Sequence, residues 1–493
     1  MESVKKYFNL NEWVIVLLLT IAFILIRLPG TSLPLHQDEY KWPLIVNPNL
    51  ESKSEIPHPP LSQFIYRTGG EIVGFNTNFR FIPLFFGTIN LLLLYYLMKV
   101  MFGKREAVIA SLIWTFSYFS VLASLMVDTD GEIMPFFFLL SLIGYYKLQE
   151  TEGSKKYLWG GLLVISLVLG FFIKVSFFLV IGAIVADYLW SKKHLISKQQ
   201  AIKYLSFLFG GVVVLGLLLY LAQYIFPFFS LSKSFEYWKH FAVGNRGWFQ
   251  TLIQCIKAVL YSSPFLILIP FLASKNIISK TRVFIFFLTF SFIFYVVLFD
   301  FSIGALDRYL QLLILPLTII TTAVISSTLK SDDRRFFEFL YLGIVVSLVL
   351  VLLQSVTHYV PSLHPKSDWI SRAFNLRWNF LYPFSGGSGP LGFYVSFLFM
   401  ALAWVVSFFG VVFALFRTNY KKLVIVFLIP IGFAYNGVFI SEYLFGFWNG
   451  SAPRLLAPVV EYIKNNPDIK MVTVYNDNGG NEIQEIGKYR KRL

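Results

Sequence analysis

The sequence predicts an all-α polytopic membrane protein with about 13 transmembrane helices. It also predicts a long first outer loop and a small C-terminal outer α/β segment. Composition is the first observation behind this. Of 493 residues, 56% are hydrophobic and 19% aromatic, and only 14% are charged. A soluble domain carries about 25% charge. The second observation is length. Apolar runs of roughly 18–25 residues recur along nearly the whole chain, enough to cross hydrocarbon as helix. The third is pattern. Backbone groups in lipid pair internally, so such runs mean helices, and the alternation over about 10 residues that marks a membrane β-barrel is missing.

The expected spans fall at 13–28, 81–98, 106–126, 132–148, 157–173, 175–190, 204–226, 252–272, 283–299, 309–329, 336–356, 391–415 and 422–445. The first run follows Lys5 and Lys6 and lacks a small-residue cleavage site, so it reads as a retained helix and not a removed signal. Trp159–Trp190 is too long for one ordinary helix, and Lys174 divides it. Two short spans there put the basic loops Lys99–Arg105, Lys147–Lys156, Lys192–Lys203, Lys275–Arg282, Lys330–Arg335 and Arg417–Lys422 on one side. By the positive-inside rule that side is cytoplasmic. The chain then reads as a multi-pass protein of the cell membrane, N-terminus cytoplasmic and C-terminus extracytoplasmic. The long connections Pro29–Arg80, Pro227–Gln250 and Thr357–Pro390 face outward, as does the tail from Gly446. The same loop placement accounts for the net charge of +15 without a nucleic-acid partner. Residues 1–445 form the membrane domain. Residues 446–493 read as helix, turn, a strand at Met471–Tyr475, a Gly turn and helix, the start of an α/β unit that is cut short or packs on the membrane domain. The single cysteine, Cys255, excludes an intrachain disulfide and a cysteine metal cluster.

The chemistry-bearing residues gather in the outer connections. Asp38 and Glu39 stand adjacent in LHQDEYKW, just past the first span. They read either as caps of a helix beginning near Tyr40 or as a general base with a tuning neighbour. His36 and His58 lie nearby, and such side chains can ligate a divalent cation. Their spacing matches no metal motif, so a metal stays open and no cofactor is assigned. His58–Leu61 reads HPPL, a rigid turn leading into a helix. Arg80, at the outer mouth of the second span, suits either interfacial snorkelling or a phosphate. Asp128 and Asp130 share the turn VDTDG, a spacing that fits a metal, a sugar phosphate or an ordinary turn. Lys174 stands alone in FFIKVSFF, and an ionisable residue in such a setting is a functional candidate. Asp307, Arg308 and Tyr309 directly precede another span. Outer acids with the cations Arg80, Lys174 and Arg308 suit a lipid phosphate leaving group. Nucleotide-binding and hydrolase signatures are not found in their proper contexts.

In this order the motifs resemble the GT-C glycosyltransferases, closest to the protein O-mannosyltransferase and lipid A aminoarabinose transferase group. The resemblance is carried by DEY at Asp38–Tyr40, HPPL, NFRFIPLFFGTINLLLLYYLMKVMFGKREA at Asn78–Ala107, DTDGEIMPFFFLL at Asp128–Leu140, GFFIKVSFF at Gly170–Phe178 and DRYLQLLILPL at Asp307–Leu317. It implies a sugar donor on a polyprenyl phosphate and an acceptor that is protein, lipid or glycan. Transfer would occur at the outer face with inversion. It implies Asp38 as the base, with Arg80, Lys174 and Arg308 facing the donor phosphate. Asp130, or else Asp128, would be the second acid. The chain departs from the family in one place: an arginine common a few residues before that acid is replaced by the run ASLMVDTDG. A flippase of lipid-linked sugars is the non-enzyme alternative, expected to show inverted repeats and midplane polar residues that this sequence does not display. A ligase or polymerase of lipid-linked glycans is the third reading.

Overall fold

A computed structural model describes residues 12–35, 38–48, 58–192, 198–226, 229–240, 247–299, 311–328, 335–360, 367–384, 392–474 and 489–491. Among these residues, eight helices are long and apolar enough to cross a membrane, ten if each of two bent pairs is one span. The protein is a multi-pass membrane protein, and among the described residues the expected count of 13 is not reached, for local reasons. The run expected at 106–126 breaks into Lys104–Thr115 and Tyr118–Leu125, bent by 68°. The run at 252–272 breaks by 110° between Trp248–Tyr261 and Pro264–Leu272. Ser262 and Ser263 are extended there, as the residues before a proline tend to be. Arg282–Leu298 is a shorter apolar helix, and Met134–Glu150 has 17 residues.

The run divides at Lys174 into two helices, as the sequence reading has it. Lys155–Ile173 stops where Lys174 turns extended (φ −154°, ψ 133°), and a tight turn at Val175–Phe177 starts Phe178–Lys192. The lysine therefore sits at the hinge of a hairpin and not inside a helix. Helix pairs close over an apolar core. Met134–Glu150 packs on Lys155–Ile173, Phe81–Met101 on Lys104–Thr115, and Arg335–Val356 on Lys421–Phe445. The last pair approaches closely because Gly343 has no side chain. A Cβ there would lie 2.5 Å from the Phe427 carbonyl oxygen, the close approach small residues give membrane helices.

Outside the helices, Leu381–Phe384 pairs antiparallel with Phe393–Ser396, and Phe393 bridges to Ser451 at the start of the tail. In the tail, helix Ala452–Asn465 precedes a strand at Val472–Val474, inside the expected Met471–Tyr475. Its partner is Tyr489–Lys491, parallel, where the sequence reads as helix. The stretch between lies outside the described residues.

Tracing the chain through these helices separates two ends. The basic connections between helices, from Lys99 to Lys104, Lys147 to Lys156 and Arg417 to Lys421, lie at one. Arg27, the Asp38–Val46 helix, Arg80, the turn at Thr129–Ile133 and Lys174 lie at the other.

Candidate active site

Two buried ion pairs build the polar end of the bundle. In the first, Glu39 meets Arg80 in a two-pronged contact. Arg80 Nη1 donates to Glu39 Oε1 at 2.7 Å and Nη2 to Oε2 at 2.8 Å. The guanidinium also donates through Nε to the Leu33 carbonyl (2.9 Å), through Nη2 to the Pro34 carbonyl (2.6 Å), and through Nη1 to the Leu125 carbonyl. All five of its N–H donors thus have protein acceptors. Glu39 Oε1 further accepts from the Val127 amide at 3.1 Å. One ion pair therefore ties the first loop, the mouth of the Phe81–Met101 helix and the chain around Met126. Arg80 and Glu39 are 2% and 5% exposed, so each charge depends on the other.

The second pair lies on the continuation of that chain. Asp128 is extended and its Oδ1 accepts from the Thr129 amide at 2.6 Å, starting a wide helical turn at Thr129–Ile133. Asp130, on this turn, accepts from Lys174 Nζ, both groups buried. Tyr295, Asp128 and Tyr237 act on the same ammonium. Burial, the largest single influence, pushes the Lys174 ammonium down; the Asp130 carboxylate, together with Tyr295, Asp128 and Tyr237, outweighs it and holds the group above its ordinary value.

The turn carrying Asp130 is held from behind. Asn90 Nδ2 donates to the Glu132 carbonyl at 2.7 Å and to its Oε2 at 2.6 Å. Gly131 is pressed against the preceding helix: a Cβ would lie 2.7 Å from the Ala123 carbonyl oxygen, so only glycine fits. Arg27, fully buried, bonds Ser124 Oγ at 2.6 Å and Ser120 Oγ at 2.9 Å on the helix that leads into the turn.

His58 closes the third side. Its ring stacks offset on Trp42, centroids 6.0 Å apart, and meets Tyr237 edge-on at 6.0 Å. Tyr237 comes from the short helix Leu231–His240 and so stands between His58 and Lys174. Beside this polar cluster opens an apolar cavity of about 600 Å³, lined by Val175, Phe178, Phe235, Trp238, Phe294 and Phe299 among others. Val175, Trp238 and Phe294 are the chain neighbours of Lys174, Tyr237 and Tyr295, so cavity and charge adjoin.

The structure thus brings together Glu39 with Arg80, and Asp130 with Lys174 and Asp128, with Tyr237 linking the latter group to His58. Asp38 opens its helix, not Tyr40 as the capping reading has it; the Asp38 side chain lies outside the described residues, as do His36 and all of Asp307, Arg308 and Tyr309. Among the described residues no three His, Cys, Asp or Glu side chains gather to hold a metal. Tyr237 and Tyr295 are not legible as site residues in sequence, since each sits in a helix without a motif; Asn90 lies within the Asn78–Ala107 motif, where nothing singles out its side chain. Glu132 lies within DTDGEIM and carries the signal of an acid in an apolar context.

Residues 57–220, a third of the chain, match the family model described as dolichyl-phosphate-mannose-protein mannosyltransferase. The match spans His58, Arg80, Asp128, Asp130 and Lys174 and leaves out Asp38 and Glu39. The crystal structure of ArnT from Cupriavidus metallidurans in the apo state superposes with a TM-score of 0.60 at 14% identity, covering 96% of this chain and 84% of ArnT. The chain has the fold of the GT-C glycosyltransferases. ArnT bound to undecaprenyl phosphate shares this GT-C fold with the chain over the same shares, at 15% identity and a TM-score of 0.60. An oligosaccharyltransferase from Archaeoglobus fulgidus, in complex with zinc and sulfate, aligns with 97% of the chain and 62% of its own length, at 11% identity and a TM-score of 0.38. A search of the curated proteins found no match. On the GT-C fold the two ion pairs and the apolar cavity occupy one end of the bundle, and that placement frames the chemistry.

Proposed function

We propose that this protein is a membrane glycosyltransferase that moves a sugar from a polyprenyl-phosphate donor to an acceptor hydroxyl or amine on a protein, lipid or glycan. The observation that carries the reading is a buried ammonium, Lys174, beside an apolar cavity at one end of a GT-C fold. A lipid phosphate needs both: a cation for its head and an apolar groove for its chain. ArnT, which shares the fold, has been crystallised with undecaprenyl phosphate.

In this mechanism the prenyl chain lies along Phe178, Trp238, Phe294 and Phe299. Lys174, Arg308 and His58 face the phosphate, with Asp307, Tyr309 and Asp128 completing the substrate contacts. Asp38 takes the acceptor proton as the acceptor atom attacks the anomeric carbon. The bond from that carbon to the phosphate oxygen breaks, and its electron pair leaves with the phosphate. Attack opposite the leaving group inverts the centre. A phosphate that leaves with its charge compensated needs no covalent enzyme intermediate. Asp130 holds Lys174 charged and aimed.

In this mechanism two residues take places other than those the family resemblance implies. Arg80 has spent its donors on the protein, and Glu39 has both oxygens committed, so the pair braces the loop that presents Asp38. The basic connections at the opposite end support an outward-facing site by the positive-inside rule.

The test is purified protein in nanodiscs with a panel of polyprenyl-phosphate hexoses and pentoses and a cell-envelope acceptor fraction. Mass spectrometry follows released polyprenyl phosphate. Release that depends on Asp38 is the expected result. No release above an empty-nanodisc control for any donor sinks the reading. Passage of intact donor between leaflets without release would mark a flippase instead.

A further inference from the structure

Gln311 opens the span Gln311–Thr328 directly after the Asp307–Arg308–Tyr309 motif. It is 3% exposed, and its side-chain Oε1 has no hydrogen-bond partner among the described residues. Its Nε2 reaches Met126 Sδ at 3.9 Å, a weak acceptor. A buried amide left this way is destabilising, and such groups call for an explanation. The turn Gln311–Leu313 packs against both the Thr129–Ile133 turn and the Tyr118–Leu125 helix. Met126 itself lies between Leu125, whose carbonyl Arg80 holds, and Val127, whose amide Glu39 holds; two residues on, the chain reaches Asp128 and then Asp130. The amide therefore lies at the seam between the two ion pairs, and Gln311 is not among the apolar residues that line the cavity.

We propose that the Gln311 side chain binds a hydroxyl of the transferred sugar and so helps select which sugar is used. This rests on the glycosyltransferase reading above. The chemistry at the seam chooses among the parts of such a donor. A prenyl chain would leave the amide unpaired, and a phosphate would be repelled by the unpaired Oε1. A sugar hydroxyl satisfies both halves at once: it donates to Oε1 and accepts from Nε2. A site built to pair with a hydroxyl discriminates sharply against a ligand that lacks it, because the protein's own polar group is then stranded.

The experiment measures binding to nanodisc-embedded protein of undecaprenyl phosphate alone and of a panel of undecaprenyl-phosphate monosaccharides, with wild type and Gln311→Leu. In wild type, at least one sugar-bearing lipid binds more tightly than the bare lipid. In Gln311→Leu that advantage falls on the order of tenfold to a hundredfold, the worth of one or two lost hydrogen bonds. Affinity for the bare lipid stays within about twofold, as expected for a group that does not touch the phosphate. If Gln311→Leu fails to fold, Gln311→Asn withdraws the amide by one methylene and is read the same way. The inference is overturned if the advantage survives in the variant, if bare lipid and sugar-lipid weaken equally, or if no sugar on the panel improves on the bare lipid in wild type. Failure of bare undecaprenyl phosphate to bind wild type overturns the parent reading, and this inference with it.

Discussion

Adjacent acids in a sequence look equivalent, and here they are not. Glu39 is locked by Arg80 and the Val127 amide, whereas Asp38 begins the helix one residue earlier. The two variants should therefore fail differently. Asp38→Asn keeps size and hydrogen bonding but removes the base; turnover should drop about 10²–10⁴-fold with donor binding and melting temperature kept. Glu39→Gln leaves Arg80 short of its counter-charge in a dry site, and breaking such a pair costs about 3–5 kcal/mol. Its melting temperature should fall markedly, with activity recovering in the part of the sample that stays folded at low temperature. A stable, inactive Glu39→Gln would return Glu39 to the chemistry; a fully active Asp38→Asn would remove Asp38 from it. The sequence makes the acidic pair, Arg80 and Lys174 visible as candidates because charges at the end of an apolar run are costly. It cannot show which charge answers which. Arg80 and Glu39 are far apart in the chain, and the choice between phosphate ligand and internal brace depends on three backbone carbonyls that no side-chain pattern encodes.

Hydropathy locates the helices well, since a span must be apolar along its whole length, and every expected span has a helix in or near its range. What it misses are the bends. A run of 21 apolar residues reads the same whether straight or broken at Ser117, and hydropathy alone did not locate the break that places Met126–Ile133 beneath the site. At Thr129–Ile133 the local cues are weak, and distant contacts decide: Asn90 from another helix and the contact of Gly131 with Ala123. Asn90→Ala should cost about 1–3 kcal/mol by stranding the Glu132 carbonyl and carboxylate. It should also slow transfer beyond the loss of folded protein, because Asp130 loses its fixed position opposite Lys174. Gly131→Ala should be worse, since its Cβ meets backbone that cannot rotate away. Measuring rate per folded molecule separates the cases. An Asn90→Ala protein with wild-type rate per folded molecule would reduce the turn to scaffold.

At the scale of the whole molecule the polarity of the bundle follows from charge arithmetic. The lysine and arginine residues that join helices at one end are spread through many short connections, while Glu39, Arg80, Asp130 and Lys174 at the other end are buried and paired. The first arrangement is what insertion reads; the second is what a site needs. The first therefore predicts the orientation, basic connections in the cytoplasm, and the second places the site at the opposite end, outside. Labelling can decide it. In a Cys255→Ser background, cysteine replaces Asn379, exposed near the hairpin at the site end, or Glu152, exposed in the basic connection at the other. A membrane-impermeant maleimide added to intact cells should modify Asn379→Cys and leave Glu152→Cys untouched until the membrane is opened. The reverse pattern would put the site in the cytoplasm. The donor would then have to be used on the leaflet where it is made, and the proposal of outward transfer would fall even if the transferase chemistry stood. Labelling of both positions in sealed cells would mean that the helices between them do not cross as traced. The hairpin about Lys174 would be examined first, because changing its two helices to one reverses every connection that follows.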